Sequence, residues 1–313
     1  MKLYSTVLIT GGAGSFGSSY VCDSIDKECH DKIIIFSRDE YKHVKLANFL
    51  REKYKGFVRN DKGYSFEIKN TNIRFFIGNI EDEERLKIAT KNCDLVIHSA
   101  AQKRIEVCEY DTYSCIGTNI FGSMNVAKAC AYNGVRKVIG LSSDKSVNAI
   151  NAYGSSKFCL EKIFLNSKHY FHETTQFAIC RYANVLGSKG SLVDLMLKNE
   201  NVSITDGNMT RFFISIEEAI NLTRFAIQNG GSSEIFVPKM KSILIMDVFC
   251  YLRPEYIPDE TPVKQGEKMH EEMLSEPELL NTHDLGSFLA VNCNGNNTYL
   301  DHFPKVKMKS YRS

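Results

Sequence analysis

The chain has 313 residues, of which 39 are basic and 37 are acidic, giving a formal net charge of +2. This length can bury a large core, and the balanced charge argues against a dedicated nucleic-acid binder. The ten cysteines include no C-x-x-C pair, so we expect no metal site and a reducing, cytoplasmic location. The N-terminus has no signal-peptide pattern, and no apolar run approaches the roughly 20 residues of a membrane span, so no membrane partner is expected.

Short apolar runs rich in β-branched residues recur through the first 180 residues, with helical segments between them. They are TVLI at 6–9, KIIIF at 32–36, IRFFI at 73–77, DLVIH at 94–98, KVIGL at 137–141 and QFAIC at 176–180. Apolar strands that alternate with helices indicate a parallel sheet buried on both faces. The sequence therefore predicts an α/β fold with a doubly wound parallel sheet of the Rossmann type. The longest predicted helix covers 110–133.

Two regions depart from this alternation. Residues 55–72 are polar and contain two glycines, so they are predicted to form an exposed, mobile loop or a short hairpin. Beyond residue 181 the pattern becomes irregular, and most of the prolines lie beyond residue 250. We expect a nucleotide-binding domain over 1–181, with return segments near 212–243. A smaller mixed substrate-binding lobe and the C-terminal tail would occupy most of 182–313.

A glycine-rich stretch, ITGGAGSFG at 9–17, follows the first predicted strand and opens the first helix. Gly12, Gly14 and Gly17 match the spacing G-x-G-x-x-G, and Gly11 gives a second match to G-x-x-G-x-x-G. Residues without a Cβ let the backbone approach a pyrophosphate, which the free N–H groups of a helix N-terminus stabilise. In this strand–turn–helix context the motif predicts a dinucleotide site. Its predicted members are Thr10, Gly11, Gly14, Ser15, Phe16 and Gly17.

The end of the second predicted strand bears on which dinucleotide binds. NAD-binding folds usually have an acidic residue there, which accepts from the ribose 2′-hydroxyl. Here Ser37 and Arg38 occupy that position, and Lys42 follows one helical turn later. A hydroxyl and two cations suit a 2′-phosphate, so we expect NADP, although Asp39 could still accept from a ribose hydroxyl. The third strand ends at positions suited to flank the adenine, Asn79 and Ile80.

The stretch SSDKSVNAINAYGSSK at 142–157 follows the fifth strand, whose carboxyl end faces the cofactor crevice. Tyr153 and Lys157 share one helix face, so the ammonium is expected to lower the pKa of the phenol from about 10. Asp144 and Lys145 add a second acid/base pair. Oxidising a sugar carbinol needs one base, whereas removing water from neighbouring carbons needs a further base and an acid. Tyr153 can fill the first role, and Lys145 and Asp144 the other two.

At these residues the chain resembles the extended short-chain dehydrogenases/reductases. More narrowly, it is similar to the soluble, inverting UDP-N-acetylglucosamine (UDP-GlcNAc) 4,6-dehydratases, which also epimerise C5. The resemblance covers most of the chain and rests on TGGAGSFG, FSRDE, FFIGNI, TNIFGSMNV, SSDKSVNAINAYGSSK, RYANVLGSKGS, ITDGNMTRFFI, EIFVPK and GEKMHEE.

The resemblance implies a closed redox cycle. Tyr153, assisted by Lys157, takes the O4 proton while C4 gives its hydride to NADP⁺. Lys145 then removes the C5 proton, and Asp144 protonates the departing O6. The hydride returns to C6, and C5 is protonated on its opposite face. The product would be UDP-2-acetamido-2,6-dideoxy-β-L-arabino-hex-4-ulose, with no net consumption of NADP.

The resemblance also implies further binding residues and a homo-oligomer assembled through helices. Near the nicotinamide it places Ala100, Ala101 and Lys103. For the UDP-sugar it implies Lys103, Asn184, Thr205, Met209, Arg211, Lys264 and Glu267. The chain departs from the family pattern at Asn79, Glu106, Ala149 and Lys264, where the family has an aspartate, two prolines and an arginine. These departures leave the fine choice of substrate open.

Three other functions fit the same motifs. A retaining UDP-GlcNAc 4,6-dehydratase and a UDP-sugar 4-epimerase would use the same cofactor. Retaining relatives are typically longer, are attached to membranes and carry methionine in place of Tyr153, so the tyrosine favours inversion. A non-catalytic NADP-sensing protein is the third alternative. Such proteins often lose the Tyr/Lys pair, which is intact here.

Overall fold

A computed structural model of the chain describes residues 2–55, 58–60, 65–171, 174–188, 190–198, 202–262, 266–293 and 299–313. In chain order the strands are β1 (Thr6–Thr10), β2 (Lys32–Ser37), β3 (Val58–Asn60), β4 (Ser65–Ile68), β5 (Thr71–Ile77), β6 (Leu95–His98), β7 (Lys137–Ser143), β8 (Gln176–Tyr182), β9 (Asn184–Val185), β10 (Thr210–Ile214), β11 (Glu234–Pro238), β12 (Ser242–Leu244), β13 (Glu272–Leu274), β14 (Thr282–Asp284), β15 (Phe288–Asn292) and β16 (Tyr311–Arg312). The α-helices are α1 (Ser15–Asp26), α2 (Glu40–Lys53), α3 (Glu83–Thr90), α4 (Ile105–Tyr110), α5 (Thr112–Ile116), α6 (Gly122–Tyr132), α7 (Ala152–Asn166), α8 (Leu192–Leu197), α9 (Ile216–Asn229), α10 (Ile245–Leu252) and α11 (Glu276–Leu279).

Parallel strands form the centre of the large sheet, in the order β5–β2–β1–β6–β7–β8–β11. This is the strand order of a doubly wound dinucleotide-binding fold, extended by one strand. Antiparallel strands β4 and β3 continue one edge, and β15 and β14 continue the other. The six apolar runs identified in the sequence coincide with β1, β2, β5, β6, β7 and β8, which confirms the predicted α/β sheet.

The sheet is buried on both faces because helices cover each side. Along β1, the side chains of Val7 and Ile9 belong to one apolar cluster, while Leu8 belongs to the other. Along β2, Ile35 and Phe36 divide between the same two clusters. Successive residues of a strand point to opposite faces, so a continuous apolar run is what a sheet covered on both sides requires.

In the 55–72 segment the antiparallel pair β3 and β4 agrees with the predicted short hairpin, whereas the alternative of an exposed loop was wrong. Strand β4 pairs antiparallel with β5, and β3 pairs antiparallel with β4, so the segment extends the sheet. Phe66 and Ile68 are buried, and the Phe66 ring packs edge-on against Phe75 with centroids 5.8 Å apart. The apolar alternation here spans too few residues to signal a strand among polar neighbours. Residues 56, 57 and 61–64 lie outside the described ranges.

The helix predicted over 110–133 is present as α5 and α6 joined by a π-helical turn, Gly117–Phe121. The turn carries Asn119, whose side chain accepts from the Gln102 N–H at 2.8 Å and donates to Ser156 Oγ at 2.9 Å. These bonds tie the loop after β6 to α7. π-Helical turns of this kind often occur beside functional sites.

A smaller lobe forms beside the carboxyl ends of the parallel strands. It contains the sheet β12–β10–β9, the pair β13–β16, and helices α8 and α10. An apolar cluster of its own fills the lobe: Met196, Val202, Ile204, Met209, Ile245 and Phe249. Strands β11, β14 and β15 lie beyond residue 182 in the chain but pair within the large sheet. The division into domains over 1–181 and 182–313 stays a prediction.

A buried ionic network fixes the end of β7. Arg181 of β8 donates to both carboxylate oxygens of Glu161 on α7, at 2.9 and 2.7 Å, and to both oxygens of Glu278 on α11, at 2.9 and 2.8 Å. Glu161 also accepts from the hydroxyls of Ser142 and Ser146, at 2.6 and 2.8 Å. Ser142 precedes the 3₁₀ turn Asp144–Ser146 and Ser146 ends it, so the network holds that turn against the helix that follows it.

Replacing Arg181 with methionine should destabilise the protein by about 3–5 kcal/mol, because Glu161 would stay buried without its cation. The matched control is Lys239→Met, which removes the cation from an exposed pair with Asp284 at 2.6 Å. Losing an exposed pair should cost less than about 1 kcal/mol. Urea unfolding followed by circular dichroism measures both free energies. Equal losses for the two variants would contradict the role given to the network.

Candidate active site

A cleft of about 1720 Å³ lies along the carboxyl ends of the parallel strands. Its walls come from the loop after β1, the ends of β2, β5, β6 and β7, the start of α7, and the smaller lobe. Its position is where the strand order reverses between β1 and β6, which is where open α/β sheets bind ligands.

The glycine turn forms one end of this cleft. Gly11 has φ +66, and a Cβ on it would lie 2.9 Å from the backbone N of Ala100. A Cβ on Gly17 would lie 2.5 Å from Gly12 Cα, so α1 packs directly on the turn. Gly14 is the N-cap of α1, and among the described residues no side-chain bond caps this helix. This bare backbone at a helix N-terminus fits a pyrophosphate, as the motif predicts.

Thr10 differs from the other predicted members of this turn, because it lies behind the wall and not in it. Its hydroxyl is buried, 2.8 Å from His98 Nδ1, and it accepts from the Ala100 N–H at 3.3 Å. Burial lowers the pKa of His98 to about 3, so its neutral ring links Thr10 to Ser123 Oγ at 3.0 Å. The predicted residues that do line the cleft here are Gly11, Gly14, Ser15, Phe16, Gly17, Ala100, Ala101 and Lys103.

The cation-rich end of β2 also lines the cleft, through Ser37, Arg38 and Lys42. Asp39, which left the choice of cofactor open, caps α2: its carboxylate accepts from the Lys42 backbone N–H at 3.0 Å and pairs with the Lys42 ammonium at 3.1 Å. The backbone bond holds the pKa of Asp39 below its usual value. Arg38 is exposed and makes no hydrogen bond or ion pair with a described residue. Asn79 lines the wall beyond.

Ile80 lines that same wall, beside the position predicted for the adenine. It also packs under α6, where a Cβ on Gly122 would lie 2.7 Å from its side chain. The small residues of the predicted long helix therefore let α6 approach the cleft wall closely.

Tyr153 and Lys157 both line the cleft from the first turns of α7. Asn151 caps this helix by accepting from the Gly154 N–H at 2.7 Å. Lys157 donates to the Leu141 carbonyl at 2.8 Å, and burial lowers its pKa to about 8. Burial raises the pKa of Tyr153 to about 12.

The charge that acts on Tyr153 differs from the one expected. The sequence predicted that the Lys157 ammonium would lower the pKa of the phenol. In the structure that ammonium is held at the Leu141 carbonyl, and the cation that opposes the effect of burial on Tyr153 is Lys145. The expectation was wrong because a helix register places both residues on one face but does not fix the direction of a flexible lysine side chain.

Asp144 and Lys145 form a close pair at the end of β7. Asp144 is fully buried and does not line the cleft; its Oδ1 accepts from Ser143 Oγ at 2.8 Å and from Lys145 Nζ at 3.1 Å. Its Oδ2 is buried and has no hydrogen-bond partner among the described residues. Lys145 does line the cleft, and its Nζ also lies 3.5 Å from Asn184 Oδ1 and 3.7 Å from Glu271 Oε1.

The proton of Lys145 is therefore held tightly. Burial by itself lowers the pKa of this ammonium, but Asp144 and Glu271 outweigh that effect, so the net shift is upward. Glu271 was not predicted from the sequence. Nothing in GEKMHEE distinguishes Glu271 from the neighbouring glutamates, and only the folded chain brings it beside Lys145.

The predicted substrate residues from the smaller lobe contact one another. Thr205 Oγ1 donates to Glu267 Oε2 at 2.6 Å, and Arg211 Nη2 lies 3.6 Å from Glu267 Oε1 and 3.5 Å from Met209 Sδ. Arg211, Glu267 and Asn184 line the cleft, while Thr205 and Met209 support them from behind. The remaining predicted residue, Lys264, lies outside the described residues.

Two classes of site are missing from the described part of the chain. It contains no group of three or more His, Cys, Asp and Glu side chains that could hold a metal ion. None of its helices combines the length and the apolar character that a bilayer crossing requires.

Comparisons with known proteins identify the family of the chain. The model of the polysaccharide biosynthesis protein family matches residues 7–293. UDP-N-acetylglucosamine 4,6-dehydratase (inverting) of Campylobacter jejuni strain 81-176 is 38% identical over 294 residues, covering 91% of this chain and 82% of that protein. UDP-glucose 4-epimerase of Rickettsia bellii strain OSU 85-389 is 32% identical over 324 residues, covering 99% and 89%.

Solved structures share the fold. The X-ray structure of Pen from Bacillus thuringiensis superposes with a TM-score of 0.86 at 31% identity, covering 99% of this chain and 92% of that one. DesIV, a dTDP-glucose 4,6-dehydratase from Streptomyces venezuelae, superposes with a TM-score of 0.70 at 17% identity, covering 84% and 86%. The chain therefore belongs to the polysaccharide biosynthesis protein family, and it is related both to inverting UDP-N-acetylglucosamine 4,6-dehydratases and to UDP-glucose 4-epimerases.

Proposed function

We propose that this protein is an NADP-dependent enzyme acting on nucleotide sugars, and that it converts UDP-GlcNAc by 4,6-dehydration with inversion at C5. The observation that carries the proposal is that Tyr153 and Lys145 line one cleft, with the buried Asp144 paired to Lys145 directly behind it. Tyr153 lines it beside the Asp144–Lys145 pair, and the glycine turn forms its other end. The names of the Campylobacter relatives support the same activity.

The residues of the cleft fit a nicotinamide dinucleotide. Gly11, Gly14 and Gly17 would hold the pyrophosphate, and Arg38 with Lys42 would hold a 2′-phosphate. Structural neighbours are described with NAD bound, which supports the cofactor class. When bound, the cofactor would supply a hydride acceptor for C4 and later the hydride for C6.

Tyr153 is the base proposed for the O4 proton. Its burial keeps it protonated at neutral pH, so positive charge has to offset that burial before the phenolate can form. Lys145 supplies such charge from this chain. Lys157, held at the Leu141 carbonyl at 2.8 Å, lines the cleft where it can contact the ligand.

The Asp144–Lys145 pair is proposed to carry out the elimination. The resting ammonium and carboxylate, 3.1 Å apart, become an amine and a carboxylic acid when one proton moves from Nζ to Oδ1. The amine takes the C5 proton, and the C–H electron pair forms the C5=C6 bond as the C6–O6 bond breaks. The acid protonates O6, and water leaves. Because Lys145 covers Asp144 in this structure, we expect the Asp144 side chain to turn toward the sugar on binding.

A UDP-sugar 4-epimerase is the second candidate, since the Rickettsia relatives carry that name. Epimerisation at C4 would employ Tyr153 and the cofactor alone. It would give no task to a fully buried carboxylate paired with a lysine that lines the cleft. The paired acid and base therefore favour dehydration. A retaining dehydratase or an NADP-sensing protein has no specific observation in its favour.

Incubation with UDP-GlcNAc in D₂O separates these functions. We expect loss of one water without net cofactor consumption, and a 6-deoxy-4-keto product with deuterium at an inverted C5. The mass spectrum detects the water loss, and NMR assigns the configuration. UDP-GalNAc as the sole product would establish the epimerase instead.

Variants of the proposed bases test their roles in the same assay. Tyr153→Phe and Lys145→Ala should each reduce turnover by about 100-fold or more, the usual contribution of a general acid or base. Tyr41→Phe is the matched control for the first, because Tyr41 is an exposed tyrosine in a second Y-x-x-x-K pair. Lys162→Ala, at an exposed position of α7, is the matched control for Lys145→Ala. Unchanged turnover in Tyr153→Phe or Lys145→Ala would overturn the assignment of that residue.

Arg38→Ala tests the choice of cofactor. It should weaken NADP binding by about tenfold or more while leaving NAD binding nearly unchanged, because a charge-assisted bond to the 2′-phosphate is lost. Calorimetric titration of each dinucleotide measures both affinities. Arg51→Ala, at an exposed position of α2, is the control. Equal loss of NAD and NADP affinity would contradict a 2′-phosphate contact.

We also propose that the protein is a cytoplasmic homo-oligomer. Large apolar side chains are exposed on α4, α5, α7 and the π-helical turn: Tyr110, Tyr113, Phe158 and Phe121. A second copy of the chain would cover them with a matching surface, as paired helices do in symmetric dimers.

A further inference from the structure

Glu271 is a buried carboxylate in the cleft wall to which the proposed reaction gives no role. It is 3% exposed, and its backbone N–H donates to Ser313 Oγ at 2.7 Å. Its Oε1 lies 3.7 Å from Lys145 Nζ, and its Oε2 lies 3.7 Å from Lys268 Nζ. Oε2 accepts no hydrogen bond from a described residue. The negative charge of this carboxylate can therefore stabilise positive charge on Lys145.

The groups that face Lys145 come from four parts of the fold. Asp144 belongs to the same turn, Tyr153 to α7 and Asn184 to β9, while Glu271 precedes β13. Of these, Asp144 and Glu271 are the carboxylates. The two lie at 3.1 and 3.7 Å from the ammonium, so both stabilise its positive charge.

Elimination requires that the Asp144–Lys145 pair holds one proton when the sugar is bound. Without it, Asp144 has no proton to give O6. Binding of a sugar excludes water from the ammonium, and a cationic nicotinamide adds positive charge to the cleft. Both changes favour loss of the proton from Lys145. Asp144 cannot oppose this loss throughout, because it is neutral once it has accepted the proton from Lys145 and until it gives that proton to O6.

We propose that Glu271 is a positioning residue that keeps the elimination proton on the Asp144–Lys145 pair. This inference rests on the proposed dehydratase function. Glu271 neither forms nor breaks a covalent bond in the reaction. Lys268 partly balances it, so that Asp144, Lys145, Glu271 and Lys268 form a row of alternating charges with no net charge.

Acylation of Lys145 by a small anhydride tests this in the protein without sugar, because only the neutral amine reacts. At a fixed pH below the midpoint, Glu271→Gln should raise the acylation rate by about tenfold or more, as loss of a charge within about 4 Å predicts. Peptide mass spectrometry measures the rate at Lys145. Glu272→Gln is the matched control, since the Glu272 carboxylate accepts from Asn148 Nδ2 at 2.6 Å and lies in the exposed surface. An equal rate in the two variants would overturn the proposal.

A second variant, with the opposite expected effect on the acylation rate of Lys145, keeps the test decisive if Glu271→Gln folds poorly. Lys268→Met removes the cation 3.7 Å from Glu271, so the carboxylate should stabilise the Lys145 ammonium more strongly. Acylation of Lys145 should therefore slow by a similar factor. Faster acylation in Lys268→Met, or no change in it, would count against the row of charges. In both variants the acylation rate should rise with pH as in the wild type, but the rise should be shifted along the pH axis. A mere change in access to Lys145 would alter the rate without shifting its pH dependence.

The pH dependence of the rate of water loss from UDP-GlcNAc is the second test of the role of Glu271. In the wild type it should fall at alkaline pH as the pair loses its proton, and Glu271→Gln should move this fall about one unit lower or more. A purely structural role would lower the rate at every pH without moving it. If the wild type releases no water from UDP-GlcNAc, the proposed function fails. The acylation result still decides whether Glu271 holds the proton of Lys145.

Discussion

Burial of charge at the carboxyl end of β7 is the constraint on which the site depends. Asp144, Glu161, Arg181, Lys157 and Glu271 are all buried. An isolated ion in such a position would cost several kcal/mol, so each has to be paired or hydrogen-bonded. The fold meets this requirement by placing opposite charges on different elements, which forces those elements into one arrangement.

The network around Arg181 shows how that requirement carries through the structure. It joins α7, β8 and α11, and through the two serine hydroxyls on Glu161 it also holds the turn that carries Asp144 and Lys145. The position of this turn is therefore set before any ligand arrives, and only the Asp144 side chain has to rotate toward the sugar. Groups fixed in this way need little reorganisation during a reaction, which is the main source of electrostatic catalysis.

Patterns in short stretches of the sequence predicted the features that depend on neighbouring residues alone, which are strands, turns and helix faces. The apolar runs gave the parallel strands, the glycine spacing gave the turn at Gly11, and the Tyr153–Lys157 spacing gave a shared helix face that lines the cleft. The place of β4 in the large sheet was missed because its alternation is weak and its pairing with β5 is what defines it. The direction of the Lys157 side chain was missed because four rotatable bonds separate its charge from the helix.

Contacts between distant parts of the chain could not be predicted from spacing. Glu271 follows Lys145 by 126 positions in the numbering of the chain, and Arg181 lies 97 positions from Glu278. A run of alternating acidic and basic residues such as GEKMHEE is usually a solvated surface, and nothing in its own sequence marks one glutamate as buried. Only pairing of β13 with β16 and the packing of that segment against the β7 turn separate Glu271 from Glu272.

The pairing of Asp144 with Lys145 also bears on why an acid and a base can work side by side. In water, adjacent acid and base groups exist as an ion pair, and neither is available in its reactive form. In a buried site the ion pair is less favoured relative to the neutral pair, because both charges have lost solvent. Neighbouring charges then set the balance between the two forms. A second carboxylate near the amine shifts that balance toward the ammonium, and a cation beyond it shifts the balance back. A row of alternating charges can hold one proton in place and still let it move over the 3.1 Å between Lys145 Nζ and Asp144 Oδ1.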